Sequence, residues 1–192
     1  IIKQRSDKFL QYPLFLGYSA AQLKNAGHEV YYIDSVIQDL DMAKTMARIM
    51  EIMPQVIFME TTTPSIEADF AFMVEAKKII GAIMVAGGPH VTYFPQKSLE
   101  ECAGLDVVIK GEFDTKIALV VNNLENLNAI KGIAFKTEGK VIDNGEKEYC
   151  SDLDKLPFPD REIVPYNWYL EAWYSKRPFI NMMTARGCPY PC

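Results

Sequence analysis

Apolar positions recur three or four apart over residues 14–26, where Leu16, Ala20 and Leu23 share one side, and Gly27 follows as a residue free to take positive φ. A helix is predicted there. Residues 29–33, Glu-Val-Tyr-Tyr-Ile, are β-branched and aromatic and run into Asp34-Ser35, which predicts a short strand entering a loop. Over residues 39–53, Met42, Met46, Ile49 and Met53 form one helical stripe that Pro54 ends. Val56, Ile57, Phe58 and Met59 are a continuous apolar run, the pattern of a strand covered on both faces, and the polar Glu60-Thr-Thr-Thr-Pro64 follows it. The same alternation continues with a helix over 65–80 closed by Gly81 and a buried strand over 82–86 that ends in Gly87, Gly88, Pro89 and His90. A short helix over 95–102, a strand over 106–109 ending at Lys110, Gly111 and Glu112, and a helix over 115–124 complete the run.

Strands alternating with helices predict a parallel sheet with helices on both faces, so the fold class is α/β, doubly wound, mostly parallel and Rossmann-like in the flavodoxin-like manner. Such folds open on a strand, whereas this pattern opens on a helix. Ile1-Ile2 is therefore read as the end of a truncated first strand, and the chain, which starts without methionine and stops at Cys192 within a motif, as a fragment. Beyond Ile130 the pattern changes to a β-hairpin, residues 132–137 and 140–143 around Glu138-Gly139, expected to cap an edge of the sheet. From Ser151 onward, six of the eleven prolines and both tryptophans crowd together in a stiff linker whose aromatics need burial. Residues 179–183 then read as a new strand. The expected division is 1–130 for the α/β domain, 131–150 for the hairpin, 151–178 for the linker and 179–192 for the start of a further domain.

Composition narrows the class of partner more than the fold. The 192 residues are 49% hydrophobic and 23% charged, as in ordinary globular chains, which excludes disorder, collagen and coiled coil. A net charge of −5 opposes docking on a nucleic-acid backbone. No stretch approaches the ~18 apolar residues of a membrane span, and the first residues lack the pattern of a signal peptide, so the chain reads as cytoplasmic. Four cysteines in such a chain do not make a disulfide framework.

In open parallel sheets ligands bind at the carboxyl ends of the strands, near the point where strand order reverses. The loops predicted there offer Asp34-Ser35, Thr61, Thr62, Thr63, Ser65, Gly87, Gly88, Pro89, His90, Gly111 and Glu112. Their hydroxyls, backbone N–H groups and helix starts suit phosphate and amide groups of a nucleotide-like ligand, and the same residue types also serve as turns and caps. Of the two histidines, His28 lies in a tight turn and His90 is the better placed for a ligand. No Walker-type loop, GxGxxG loop or nucleophilic triad is present. Cys102 and Cys150 read as small buried hydrophobes. Cys188 and Cys192 share Arg186-Gly-Cys-Pro-Tyr-Pro-Cys192, where prolines hold a loop open so that two thiolates face one centre, as in iron–sulfur sites.

At this motif the chain resembles the radical S-adenosylmethionine enzymes, whose CxxxCxxC signature follows the first barrel strand. Cys188 and Cys192 match its first two cysteines, and Thr184-Ala-Arg-Gly187 fits the approach. Upstream, residues 14–30, the Gly87-Gly-Pro-His90 and Lys110-Gly-Glu112 loops and Leu156-Pro-Phe-Pro-Asp-Arg161 are similar to the cobalamin-binding subgroup, which includes anaerobic magnesium-protoporphyrin monomethyl ester cyclases and cobalamin-dependent methylases. The resemblance implies an N-terminal cobalamin domain joined to a radical enzyme barrel, with cobalamin, a [4Fe–4S] cluster and S-adenosylmethionine as cofactors of the parent enzyme. It implies that residues 61–65 and 87–90 line the groove for the cobalamin tail, that Gly111 and Glu112 flank the corrin, and that Cys188 and Cys192 bind iron. The DxHxxG motif of many cobalamin proteins is absent, so cobalamin is expected without a histidine on its lower cobalt face. The fragment alone is expected to bind and not to catalyse. The competing readings are a stand-alone flavodoxin-like domain for flavin or cobalamin, a receiver-like signalling domain, and an interaction domain with zinc on the two cysteines.

Overall fold

A computed structural model describes residues 10–169, 176, 178–188 and 190. The elements run α1 (Leu14–Asn25), α2 (Met42–Ile52), β1 (Val56–Glu60), α3 (Ile66–Ile80), β2 (Ile83–Gly87), α4 (Pro89–Tyr93), α5 (Pro95–Glu101), β3 (Val107–Ile109), α6 (Phe113–Asn122), β4 (Ile133–Thr137) and β5 (Lys140–Asp143). Five strands form one sheet in the order β1-β2-β3-β4-β5. β1, β2 and β3 pair in parallel, and the β4–β5 hairpin adds antiparallel to β3, with Val108 opposite Ala134. The fold is thus mixed, mostly parallel and α/β, with the hairpin as its cap.

β2 and β3 read as continuous apolar runs because both of their faces are buried, while β1, at the sheet edge, is half-buried throughout. Along β2, Val85 joins the layer of α1 and α6, with Ile117, Val120 and Phe113, while Met84 and Ala86 join the layer of α2, α3 and α5, with Met46, Met73 and Leu99. Met84, Val85 and Ala86 are fully buried. A side chain the size of Met or Val contributes about 1.5–3 kcal/mol on full burial, so this period-two division fixes the register. α2 starts where Asp41 accepts a hydrogen bond from the Lys44 N–H at 2.8 Å, and α3 ends at Gly81, whose φ of 76° closes the helix without a Cβ penalty.

Two predicted strands are corrected. Residues 28–33 are extended but join no ladder among the described residues. Their side chains keep the strand alternation, with Val30 and Tyr32 half-buried against Tyr12 and Tyr169 and with Glu29 and Tyr31 exposed. What they lack is a neighbour. Between them and β1 lies a cavity of about 800 Å³, lined by Leu16 and Ala20 of α1, by Thr45 and Ile49 of α2, and by Val56 and Phe58 of β1. β1 is the sheet edge on that side, so no reversal of strand order occurs among the described strands. The expected first strand, ending at Ile1-Ile2, lies outside the described residues. Residues 179–183 also form no strand, because no partner strand lies beside them among the described residues. The linker was expected to bury its aromatics. Tyr169 does so, edge-on to Tyr12 with ring centroids 5.5 Å apart, whereas Phe158, Tyr166 and Trp168 stay exposed and Trp173 lies outside the described residues.

Candidate functional site at the carboxyl ends of the strands

The parallel strands deliver three loops to one edge of the sheet, and short-range chemistry fixes their shape. Gly88 has φ of 104°, a region closed to other residues, and a Cβ there would strike the Thr61 carbonyl oxygen. Thr61 in turn donates its N–H to the Gly87 carbonyl at 2.8 Å and its hydroxyl to the same oxygen at 3.0 Å. A Cβ on Gly87 would lie 2.7 Å from the Phe113 side chain. The ends of β1, β2 and α6 therefore meet with no room between them.

This arrangement sorts the residues expected to hold a ligand. Thr61 is fully buried and its hydroxyl is spent within the fold. Thr62, Thr63 and Pro89 are exposed, and Ser65, His90, Gly111 and Glu112 are half-buried. The Gly87–His90 segment is not an open loop. Pro89 and His90 begin the short helix α4, because the fixed φ of proline suits a first helical position. The His90 Nδ1 lies 3.2 Å from the Thr63 hydroxyl, and its ring packs against Phe94 and Phe70 at centroid separations of 5.4 and 6.3 Å. The Thr62 and Ser65 hydroxyls share a hydrogen bond of 3.0 Å, and Ser65 donates to Asp69 at 2.7 Å. Burial holds the Asp69 carboxyl above the ordinary range against the lowering effect of that hydroxyl. At the third loop the Gly111 N–H donates to the Thr92 hydroxyl at 3.0 Å, and Glu112 accepts the Cys150 N–H at 2.8 Å. Lys110 is occupied by Asp143 and the Gly145 carbonyl of the hairpin.

Several residues at this edge are not singled out as site residues by the sequence. Tyr93, 72% exposed, and the exposed Tyr149 flank the Lys147 ammonium at 5.3 and 5.6 Å, and Lys147 lies against Gly111. They form an amphipathic patch beside the exposed Phe94. Glu60, at the end of β1, has its carboxyl raised chiefly by burial and then by the charge of Asp114. Arg186 forks onto Asp114. The interleaving of exposed aromatics with glycine is the only trace the sequence holds of the patch.

Cys188 is exposed, as is Tyr190, while Cys192 lies outside the described residues. Among the described residues no three His, Cys, Asp or Glu side chains gather as a metal site. Cys102 is fully buried, its thiol pushed up by burial, in keeping with a small hydrophobe. Cys150 is half-buried, its thiol against the Asp152 carbonyl. No helix of the described residues is long and apolar enough to cross a membrane.

The model of the B12-binding domain family matches residues 6–121, the stretch from just before α1 through α6. A methyltransferase of Pyrococcus horikoshii, the uncharacterized PH0819, is 30% identical over an alignment of 184 residues that covers 94% of this chain and 39% of that protein. An anaerobic magnesium-protoporphyrin IX monomethyl ester cyclase of Cereibacter sphaeroides is 28% identical over 94% of this chain and 30% of its own length. The chain thus spans well under half of these relatives. Among solved structures, the radical S-adenosylmethionine methyltransferase TsrM of Kitasatospora setae, with cobalamin and a [4Fe–4S] cluster bound, superposes with a TM-score of 0.61. It covers 70% of this chain and 28% of that one at 16% identity. The cobalamin-dependent S-adenosylmethionine radical enzyme OxsB superposes with a TM-score of 0.63 over 79% of this chain and 22% of that one, at 18% identity. At such identities the likeness is one of fold.

Proposed function

This chain belongs to the B12-binding domain family, and from that premise we propose that it is the cobalamin-binding domain of a radical S-adenosylmethionine enzyme of methylase or cyclase type. The observation that supports the reading most directly is the convergence of Thr63 and His90, 27 positions apart, at the carboxyl edge of a parallel sheet. The residues present fit the cofactor. Exposed hydroxyls at Thr62 and Thr63 and the half-buried Ser65 and His90 suit its polar tail, and the patch of Tyr93, Phe94, Lys147 and Tyr149 beside Gly111 and Glu112 suits a broad ring edged with amides.

In this reading the chain's own work is binding and orientation. Thr61 and Gly88 hold the two loops at fixed separation, so the groups facing the cofactor are set before it arrives. His90 is restrained on its Nδ1 side by Thr63, so it would serve the cofactor as a hydrogen-bonding contact, and the chain carries no DxHxxG motif. Cobalamin, when bound, supplies a cobalt centre able to carry a methyl group. Cys188, with Cys192 beyond the described residues, would supply the first two thiolates of a [4Fe–4S] cluster, whose chemistry would be the reductive cleavage of S-adenosylmethionine. The relatives' names, a methyltransferase and a cyclase, point to these two reaction types. The domain limits follow: 1–130 holds the cofactor, 131–150 caps the sheet, 151–178 links, and 179–192 opens the radical enzyme barrel.

The test is a titration of the chain with hydroxocobalamin, and then with cob(II)alamin, followed by absorption. The expected outcome is saturable binding at micromolar concentration with the spectrum of the form whose benzimidazole is displaced. Thr63→Val with His90→Ala weakens it by at least about tenfold, the equivalent of ~1.4 kcal/mol. No binding, or binding indifferent to the paired variant, overturns the assignment of these loops.

A further inference from the structure

Arg186 is the least explained residue of the described segment 178–188. That segment has no regular structure and is largely exposed, yet the Arg186 side chain is only 9% exposed. Its two terminal nitrogens fork onto the Asp114 carboxylate, Nη2 to Oδ2 at 2.6 Å and Nη1 to Oδ1 at 3.2 Å, and Glu112 lies 3.8 Å away. Its guanidinium carbon lies 5.2 Å from the Phe15 ring and 5.1 Å from the Tyr18 ring, both on α1. Asp114, whose side chain is 1% exposed, stands in the first turn of α6, directly after the β3 loop that carries Gly111 and Glu112. Only the planar, forked guanidinium satisfies a carboxylate bidentately while stacking on aromatic rings; a lysine in its place would keep the charge but lose the fork and the flat stacking.

An ion pair so enclosed adds little net stability, because desolvation of the two charges offsets their attraction. It does select one geometry. Asp114 marks the carboxyl edge of the sheet, and Cys188 follows Arg186 by two residues, a reach of at most about 7 Å. We propose that Arg186, locked onto Asp114 and clasped by Phe15 and Tyr18, is a positioning residue that seats the Cys188 loop over the cofactor-binding edge of the sheet. The iron–sulfur cluster is thereby held at a fixed distance from the cobalamin. A second tether supports the same role: Arg161, stacked on Tyr12, donates to the Asn181 carbonyl at 2.6 Å and fixes the segment five residues earlier.

This inference rests on the reading of Cys188 as a cluster ligand and is tested separately from it. In the full-length enzyme, loaded with cobalamin and reconstituted with iron and sulfide, the iron content and the electron paramagnetic resonance of cob(II)alamin are measured with the cluster oxidised and reduced. In the unaltered enzyme the reduced cluster is expected to speed the relaxation of the cob(II)alamin signal, a signature of their distance. Arg186→Lys and Arg186→Gln are expected to keep the iron content while losing most of that enhancement, with Lys intermediate. The paired variant Arg186→Met with Asp114→Leu removes both charges, and so folds without a stranded ion; it is expected to lose the enhancement as well. Unchanged relaxation in all three variants, with the cluster present, overturns the inference alone. Absence of iron from the unaltered enzyme, or full iron retention in Cys188→Ala, overturns the reading of Cys188 and the inference with it.

Discussion

The loops of Thr61 and Gly88 and the segment of Arg186 meet at the same edge of the sheet, yet they are held there by opposite means. The first two are fixed by backbone contact so close that a single methyl group has no place, and by hydrogen bonds between neighbouring strands. The second is held by a few long side chains, Arg186 on Asp114 and Arg161 on the Asn181 carbonyl, across an otherwise irregular stretch. A site built on the first kind of contact is part of the fold and fails only with it. A segment built on the second kind is undocked by changing one or two side chains while the sheet stays intact.

The largest expected effect follows from the first kind. Gly88→Ala forces a side chain into positive φ and against the Thr61 carbonyl, and it is expected to destabilise the chain by roughly 2–4 kcal/mol. Urea unfolding measures it, and a loss under ~1 kcal/mol would mean that the two strand ends yield and that the rigid half of the comparison is wrong. Arg186→Gln comes next. It strands Asp114, but the segment undocks and lets water reach the carboxylate, so the global unfolding free energy is expected to move by less than about 1 kcal/mol. Limited proteolysis within residues 178–188 is expected to accelerate severalfold. A loss of global stability as large as that of Gly88→Ala would erase the distinction between the two regions.

The same contrast explains what the sequence reveals. β2 is legible because a strand buried on both faces reads as an apolar run, β1 because its half-buried residues pack against both helical layers, and the hairpin because Glu138-Gly139 supplies two adjacent residues that both adopt positive φ, at 49° and 74°. Residues 28–33 carry a strand pattern that the ladder does not honour, since periodicity reports which side chains are buried and not whether a neighbouring backbone is present. Thr61 reads as a ligand hydroxyl because local sequence cannot show that Gly87, 26 positions on, consumes it. The Arg186–Asp114 fork spans 72 positions, and an aspartate at the start of a helix looks like an ordinary cap. Contacts set by period are visible in one sequence, and contacts set by a single distant pair are not.

The smallest expected effect separates the regions by the sign of their response to acid. Glu60, at the end of β1, has its carboxyl raised mainly by burial, with Asp114's charge adding to it. Its ionised form therefore costs folding stability at pH 7, a cost relieved as the pH falls through the raised pKa and gone below the ordinary glutamate value near ~4.3. Asp160, in the linker, behaves oppositely. Burial alone would raise it, but the N–H groups of Ile163 and Glu162 and the Lys24 ammonium at 2.9 Å outweigh burial and hold it below the usual range. Its stabilisation is present above the ordinary aspartate pKa and fades as the pH falls through the lowered one. Glu60→Gln is thus expected to be slightly more stable than the unaltered chain at pH 7, with the difference closing toward about pH 4. Asp160→Asn is expected to be less stable at pH 7, with its deficit shrinking only below about pH 4. Urea midpoints measured at several pH values decide the matter. A Glu60→Gln difference that does not change with pH would mean that the carboxyl is solvated at the rim of the sheet, and that the rigid edge is more open to water than its packing implies.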